Sequence, residues 1–171
     1  MKSKITPTNI ETKLNDNDFI VSKTNSKGII TYCNQIFIQM SGYSEQELIG
    51  KQHNIIRHPD MPRAAFHILW QTIQKGEEFF AYVKNLRKDG GFYWVHANVT
   101  ARLPFEKNLG YHSVRRKPSQ QAIDAIIPIY AEMLAEEKRV GAKDAIAAST
   151  AILLAKLDKL GTTYEEFSRD S

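Results

Sequence analysis

The chain has 171 residues, of which 42% are hydrophobic, so its length and composition suit one compact domain with a small appendage. It has 23 lysines and arginines against 19 acidic residues, and the basic residues are scattered apart from the run 115–117, which argues against a nucleic-acid surface. The single cysteine, Cys33, excludes an internal disulfide and a thiolate zinc site. The polar start, and a longest apolar stretch (145–155) well short of the roughly 20 residues that span a membrane, predict a soluble cytoplasmic protein with no membrane segment.

The first predicted element is a β-hairpin that follows a polar lead-in at residues 1–16. Two apolar-rich runs, Phe19–Lys23 and Ile29–Tyr32, flank a turn sequence in which Gly28 stands where a positive φ is expected. We therefore expect ordered structure to begin after this lead-in, with two antiparallel strands.

Helices are predicted next along the chain. Two short stretches, Gln35–Met40 and Ser44–Glu47, follow or contain helix-capping residues and are closed by glycines. The longer stretch Pro62–Gln74 carries apolar residues at helical spacing, with Gly76 just beyond it, which predicts an amphipathic helix.

Three strand-like runs follow, at Glu78–Leu86, Gly91–Ala101 and Leu109–Arg116, and an Asp-Gly pair predicts a hairpin between the first two. With the first hairpin they predict an α+β fold, a five-stranded antiparallel sheet with helices on one face. Alternation along the middle run divides its side chains between two faces. We expect the face of mixed polarity to line a ligand cavity; it carries Phe92, Trp94, His96 and Asn98.

Residues 119–171 have a helical pattern and are interpreted as a C-terminal extension of a domain that spans residues 17–118. Pro128 is expected to kink or restart the first of these helices. Apolar positions after Gly141 then recur at steps of four and three over about two heptads. This stripe either folds back on the sheet or joins two chains in a homodimer, and the sequence leaves both open; it comprises Ile146, Thr150, Leu153, Leu157 and Leu160.

The segment Arg57–Pro62 combines a cation, an imidazole and a carboxylate with two prolines. Each proline fixes its own φ and pushes the preceding residue away from helical geometry, so the loop is expected to be stiff. Charged groups in a stiff loop suit the mouth of a ligand cavity. The alternative is a helix entry in which Asp60 is the N-cap and Arg57 a surface charge.

Together with three other segments, this motif resembles PAS domains, and it closely resembles the FAD-binding sensor domain of bacterial aerotaxis receptors. The resemblance covers about residues 17–118, and it implies a redox sensor that monitors oxygen or electron transport through bound FAD. The other segments are GIITYCNQIFIQMSGYSEQELIGK, VKNLRKDGGFYWVHANVT and GYHSVRRKP.

The resemblance also implies which side chains contact the flavin. Arg57, His58 and Asp60 match the motif loop, where a guanidinium can pair with a pyrophosphate or a ring carbonyl. Amide side chains suit the polar edge of the ring, and indoles suit its flat surface. The further expected contacts are Asn34, Asn85, Asn98, Phe66, Trp70 and Trp94. On local pattern alone, Asn34 is also a helix cap and Trp70 also a core residue, and both interpretations stay open.

The predicted function is therefore non-catalytic. The redox state of FAD would be converted into a conformational signal, carried by the last strands and the helical extension to a signalling partner protein or a C-terminal signalling domain. The sequence shows no catalytic triad, metal-ligand spacing or phosphate-binding glycine loop, so we do not expect an enzyme. The alternatives are FMN in place of FAD, a haem-binding gas sensor, and a cofactor-free interaction or dimerisation module. A light sensor of the LOV type is disfavoured because its cysteine is missing from His53–Pro59.

Overall fold

The computed structural model describes residues 4–169, which form an antiparallel sheet with helices on both of its faces. This confirms the predicted α+β architecture and its five strands, which lie side by side in the order β2-β1-β5-β4-β3. The strands are β1 (Phe19–Thr24), β2 (Ile30–Cys33), β3 (Phe79–Leu86), β4 (Phe92–Ala101) and β5 (Tyr111–Arg116). The helices are α1 (Gln35–Ser41), α2 (Glu45–Leu48), α3 (Arg63–Gln74), α4 (Gln120–Val140), α5 (Ala145–Lys159) and α6 (Tyr164–Arg169).

The turns form where the sequence placed them. Gly28 has a φ of 84°, and the side chain of Asn25 accepts hydrogen bonds from the backbone N–H groups of Lys27 and Ile29. In the second hairpin Gly90 has a φ of 94°, and the Asp89 carboxylate accepts from the N–H of Gly91. These local bonds satisfy the turn backbone, so the strands on either side can pair in register.

The inner face of the sheet is covered by helices α1 to α3, and the outer face by helices α4 to α6. Side chains alternate along β4, so Val95 and Ala97 point inward, whereas Trp94 and Asn98 point outward. The inner core beside α1 and α2 is built from aliphatic and aromatic side chains that are fully or almost fully buried: Ile20, Ile30, Phe37, Leu48 and Tyr93.

The helical extension folds back on the outer face, which was one of its two expected arrangements. Trp94 stacks on Tyr130 of α4, with ring centroids 6.4 Å apart, and Leu153 and Leu157 of α5 are buried. Leu160, expected in the same apolar stripe, is 62% exposed. Helix α4 is continuous through Pro128, which excludes a restart, and the alternative of a kink stays a prediction. Association of two chains through these helices stays a prediction.

Ordered structure begins earlier than expected, because part of the polar lead-in pairs with the start of β4. Thr12 donates its N–H to the carbonyl of Phe92, and Phe92 donates its N–H to the carbonyl of Ile10. Leu14 is only 2% exposed and belongs to the inner core. The described part of the lead-in is therefore packed against the domain and hydrogen-bonded to it, although its composition is polar.

Loops cover both edges of the sheet. At the β2 edge, Ile30 donates its N–H to the carbonyl of Lys51 and accepts from the N–H of Gly50. At the β3 edge, Arg57 forms a backbone bridge with Asn85. None of the helices within residues 4–169 is both long and apolar enough to cross a membrane.

Candidate functional site

A cavity of about 240 Å³ lies between helix α3 and the inner face of the sheet. Its polar lining comes from β1, β3, β5 and the turn that follows residue 51, and it contains no aspartate or glutamate. Trp70 and Tyr111 meet edge to face at its wall, with centroids 5.6 Å apart. The polar side chains that line it are Ser22, Thr24, Gln52, His53, Asn54, Arg57, Asn85, Ser113 and Arg115.

The apolar walls follow directly from the two secondary-structure periods. One face of α3 supplies positions i, i+3, i+4 and i+7, and alternate positions of β4 supply the opposite wall. The space between them suits a flat apolar group. The wall residues are Phe66, Leu69, Trp70 and Ile73 on the helix and Val95, Ala97 and Val99 on the strand.

Arg57 and Asn85 bring polar groups to the side of the cavity nearest β3. Their backbones are bridged, which fixes both side chains at this edge. The Arg57 guanidinium lies 4.0 Å from the ring centroid of Phe66, and burial lowers the pKa of Arg57, as does the nearby Arg63. Asn85 is 4% exposed and presents both an amide donor and an acceptor.

Arg115, Ser22 and His53 form a second polar cluster in the cavity. Arg115 donates from Nη2 to Ser22 Oγ over 2.7 Å and from Nη1 to His53 Nε2 over 3.1 Å. Because this imidazole nitrogen accepts, the His53 proton lies on Nδ1 and the ring is neutral. Burial, with Arg115 as the second cause, lowers the pKa of His53 to about 3.

The rest of the motif loop turns away from this cavity. His58 is buried against the edge of Phe92 on the outer face, and its Nδ1 accepts from the N–H of Asp60. Burial lowers the pKa of His58 to about 4, and the charge of Lys84 adds to the effect. Although partial burial opposes it, the 2.9 Å ion pair with Lys84 lowers the pKa of Asp60. His58 and Asp60 are therefore not among the residues that line the cavity, and their contact with a cofactor stays a prediction.

Three more expected contacts lie elsewhere. Trp94 and Asn98 are on the outer face, because the odd-numbered side chains of β4 are the ones that point to the inner face. Asn98 donates to Glu78 Oε1 over 2.8 Å. Asn34 is the N-cap of α1: its Oδ1 accepts from the N–H groups of Phe37 and Val21, so the capping interpretation is the one that the structure shows.

Four of the predicted residues do line the cavity, namely Arg57, Phe66, Trp70 and Asn85. The Arg115 cluster was not predicted from the sequence, because Arg115 stands in a basic run and His53 precedes the motif loop. Strand alternation alone does not separate Arg115 from Arg116; the structure places Arg115 on the cavity side because it pairs with inward-facing Ala97.

Cys33, the single cysteine, lies on β2 and is not among the cavity residues. Of the five histidines, His53 alone is among the residues that line the cavity, and its Nε2 is already held by Ser22 and Arg115. Within the described residues, no group of three or more His, Cys, Asp or Glu side chains is placed to hold a metal ion.

Comparisons with known proteins agree with this architecture. The family model described as PAS fold matches residues 30–113. The aerotaxis receptor of Escherichia coli (strain K12) is 44% identical over 119 residues, which cover 70% of this chain and 24% of the receptor. The nitrogen fixation regulatory protein of Klebsiella pneumoniae is 29% identical over 80 residues, which cover 47% of this chain and 16% of that protein. The chain thus spans about a quarter or less of the length of these relatives.

Among solved structures, a light-oxygen-voltage domain studied with a flavin analogue superposes with a TM-score of 0.53. It is 24% identical, and the match covers 71% of this chain and 85% of that one. At this level of identity, the likeness bears on the fold.

Proposed function

Because the chain belongs to the PAS family and resembles the sensor domain of aerotaxis receptors, we propose that it binds FAD in the cavity beneath α3 and senses its redox state. The observation that carries the proposal is the cavity itself: flat apolar walls, an amide at one edge, and two arginines with no acidic residue in the lining.

The residues present fit a flavin ring. Ligand pockets usually measure about 300–1,000 Å³, so a cavity of about 240 Å³ suits a ring system and is too small for a whole dinucleotide. The phosphates and the adenosine of FAD would then lie outside it. Arg57 lines the cavity but is only half-buried, so its guanidinium would hold a phosphate just outside the cavity.

A bound flavin supplies reversible electron and proton uptake. Asn85 would bind the amide edge of the ring, because its side chain both donates and accepts and can satisfy a changed pattern by rotating. Trp70 and Phe66 would pack on the ring and exclude water from it. A lost buried hydrogen bond costs about 1–3 kcal/mol, which is enough to shift a two-state population tenfold.

The signal would leave the cavity through α3, since this helix contacts both the site and the extension. Its backbone N–H groups at Arg63 and Ala64 donate to the buried carboxylate of Glu137 on α4, over 2.8 and 3.1 Å. Ser149 of α5 donates to the same carboxylate over 2.6 Å. A shift of α3 would therefore be transmitted to α4 and α5, and from there to a signalling partner or a following domain.

The rival cofactors are less well supported by this lining. A haem would need an axial ligand, and the one histidine of the cavity already accepts two hydrogen bonds. Light-driven adduct formation would need a thiol, and Cys33 lies elsewhere. A cofactor-free module would fill the space with its own indoles, but Trp94 lies on the other face.

The role in aerotaxis, the cytoplasmic location and the homodimer are parts of the same proposal. Its support is the 44% identity to the aerotaxis receptor, of which this chain spans 24%. The signalling partner would be a protein or a domain of the kind that continues such a receptor.

The test is to purify the chain and record its visible spectrum before and after dithionite. We expect flavin bands near about 370 and 450 nm that bleach on reduction, and release of FAD on denaturation. Folded protein that stays colourless after incubation with FAD and FMN would overturn the proposal.

A residue-level test compares two arginines of the same segment. Arg57→Ala should lower flavin occupancy about tenfold or more, because a charge-assisted contact to phosphate is lost. Arg63→Ala is the matched control, since this side chain is exposed and not part of the lining. Equal occupancy in both variants would contradict the assignment of Arg57.

A further inference from the structure

Arg115 is a buried cation that lacks a counter-ion. It is 3% exposed, on the inner face of β5, and forms no ion pair with any carboxylate in the described part of the chain. Buried charges are normally paired, because an isolated one loses hydration without compensation.

Among the described residues, the hydrogen-bond and ring contacts of Arg115 are with neutral groups. Its two terminal nitrogens donate to Ser22 and to neutral His53, and its guanidinium lies 4.6 Å from the ring centroid of Phe37. Its Nε has no hydrogen-bond partner among residues 4–169. The fixed dipoles around the guanidinium orient it, but they do not neutralise it.

The cavity as a whole carries the same excess of positive charge. Arg57 and Arg115 both line the cavity and no acidic side chain does, so the lining has a formal charge of +2. Arg57 is half-buried, whereas Arg115 is almost fully buried, so water and salt screen the charge of Arg115 less than that of Arg57. Burial lowers the pKa of Arg115 to about 10, so it keeps its charge at neutral pH.

We propose that Arg115 stabilises the negative charge that the flavin ring acquires on reduction, and so sets the redox poise of the sensor. The oxidised ring is neutral; two electrons and one proton convert it to an anion with one negative charge. In the potential measurement below, the electrode supplies the electrons and the buffer supplies the proton. This inference rests on the proposed flavin binding and assigns to Arg115 a role that Arg57 does not share.

The physical reason is differential binding. A cation beside the ring in a low-dielectric cavity attracts the reduced anion more strongly than the neutral oxidised form. The reduced form is therefore held more tightly, and the midpoint potential rises. Ser22 and His53 act as positioning residues, because they fix the guanidinium without reducing its charge.

The experiment measures the midpoint potential of the flavin-loaded protein by spectroelectrochemistry for wild type, Arg115→Gln and Arg115→Lys. In Arg115→Gln the preference for reduced over oxidised flavin should fall at least tenfold, which corresponds to about 30 mV for a two-electron couple. Arg115→Lys keeps the charge and should stay close to wild type. Arg116→Gln is the matched control: the same change at the next residue, whose side chain is exposed on the other face.

Each outcome decides a different question. If Arg115→Gln binds flavin but has the wild-type potential, the inference is wrong and flavin binding stands. If neither Arg115 variant yields flavin-loaded protein while Arg116→Gln does, Arg115 is structural, and the inference is again wrong. If wild type itself takes up no flavin, the proposed function has failed.

Discussion

Two buried polar groups on opposite faces of the sheet are satisfied to different degrees. On the outer face Tyr130 donates to the carbonyl of Tyr82 over 2.9 Å, and its oxygen lies 2.7 Å from the hydroxyl of Tyr164, which therefore donates to it. On the inner face the charge of Arg115 is left uncompensated beside a cavity. A fully hydrogen-bonded hydroxyl pair is typical of structural packing, whereas an unbalanced charge at a cavity is typical of sites that a ligand completes.

The largest expected effect comes from breaking a satisfied group. Glu137→Ala removes the buried carboxylate that accepts from the start of α3 and from Ser149, so three donors lose their partner. We expect a loss of about 3 kcal/mol in the free energy of unfolding, measured by urea titration. Glu132→Ala is the control, because its pair with Lys156 lies at the surface and is worth less than about 1 kcal/mol. Similar losses in the two variants would contradict the capping role.

A smaller effect tests the inner face by pH. The pKa of His53 is lowered from 6.5 to about 3 in the folded chain, so between these values the unfolded state takes up a proton that the folded state does not. The free energy of unfolding should therefore fall as the pH drops below 6.5. At a pH of about 5, the part of this loss due to His53 should be about 2 kcal/mol.

His53→Gln keeps an acceptor for Arg115 but cannot be protonated, so its loss of stability on acidification should be shallower. His67→Gln changes an exposed position of α3 and should keep the wild-type slope. Urea titrations at several pH values give the slopes, and identical slopes for all three proteins would exclude His53 as the cause.

The smallest effect is expected at Asn98. Its bond to Glu78 is at the surface, so Asn98→Ala should change stability by less than about 0.5 kcal/mol and leave flavin occupancy unchanged. Asn85→Ala, on the inner face, should lower occupancy, as measured by the ratio of flavin to protein absorbance. Loss of flavin from the Asn98 variant would show that the two faces have been assigned the wrong way round.

The strands and the main helix could be predicted from the sequence because their signals are local. The turn glycines end the strands where the sequence indicates, and the apolar spacing of α3 marks its length. The stiff motif loop likewise predicted that Arg57 comes close to a cavity, whereas Asn85 was expected there only from the resemblance.

What could not be predicted is which face of β4 points inward. Alternation divides Trp94 from Val95, but both faces are buried, because the extension covers the outer one. Polarity therefore does not mark the cavity side. For the same reason nothing local separates Arg115 from Arg116; only the register against Ala97 does.

The covered borders of the sheet have a consequence for assembly. The backbone of Ile30 at one border and that of Asn85 at the other already have partners within the chain. A neighbouring molecule that tried to lengthen the sheet by adding a strand would first have to peel off these loops, and one of them carries Arg57. Association through the side chains of its helices and turns needs no such displacement.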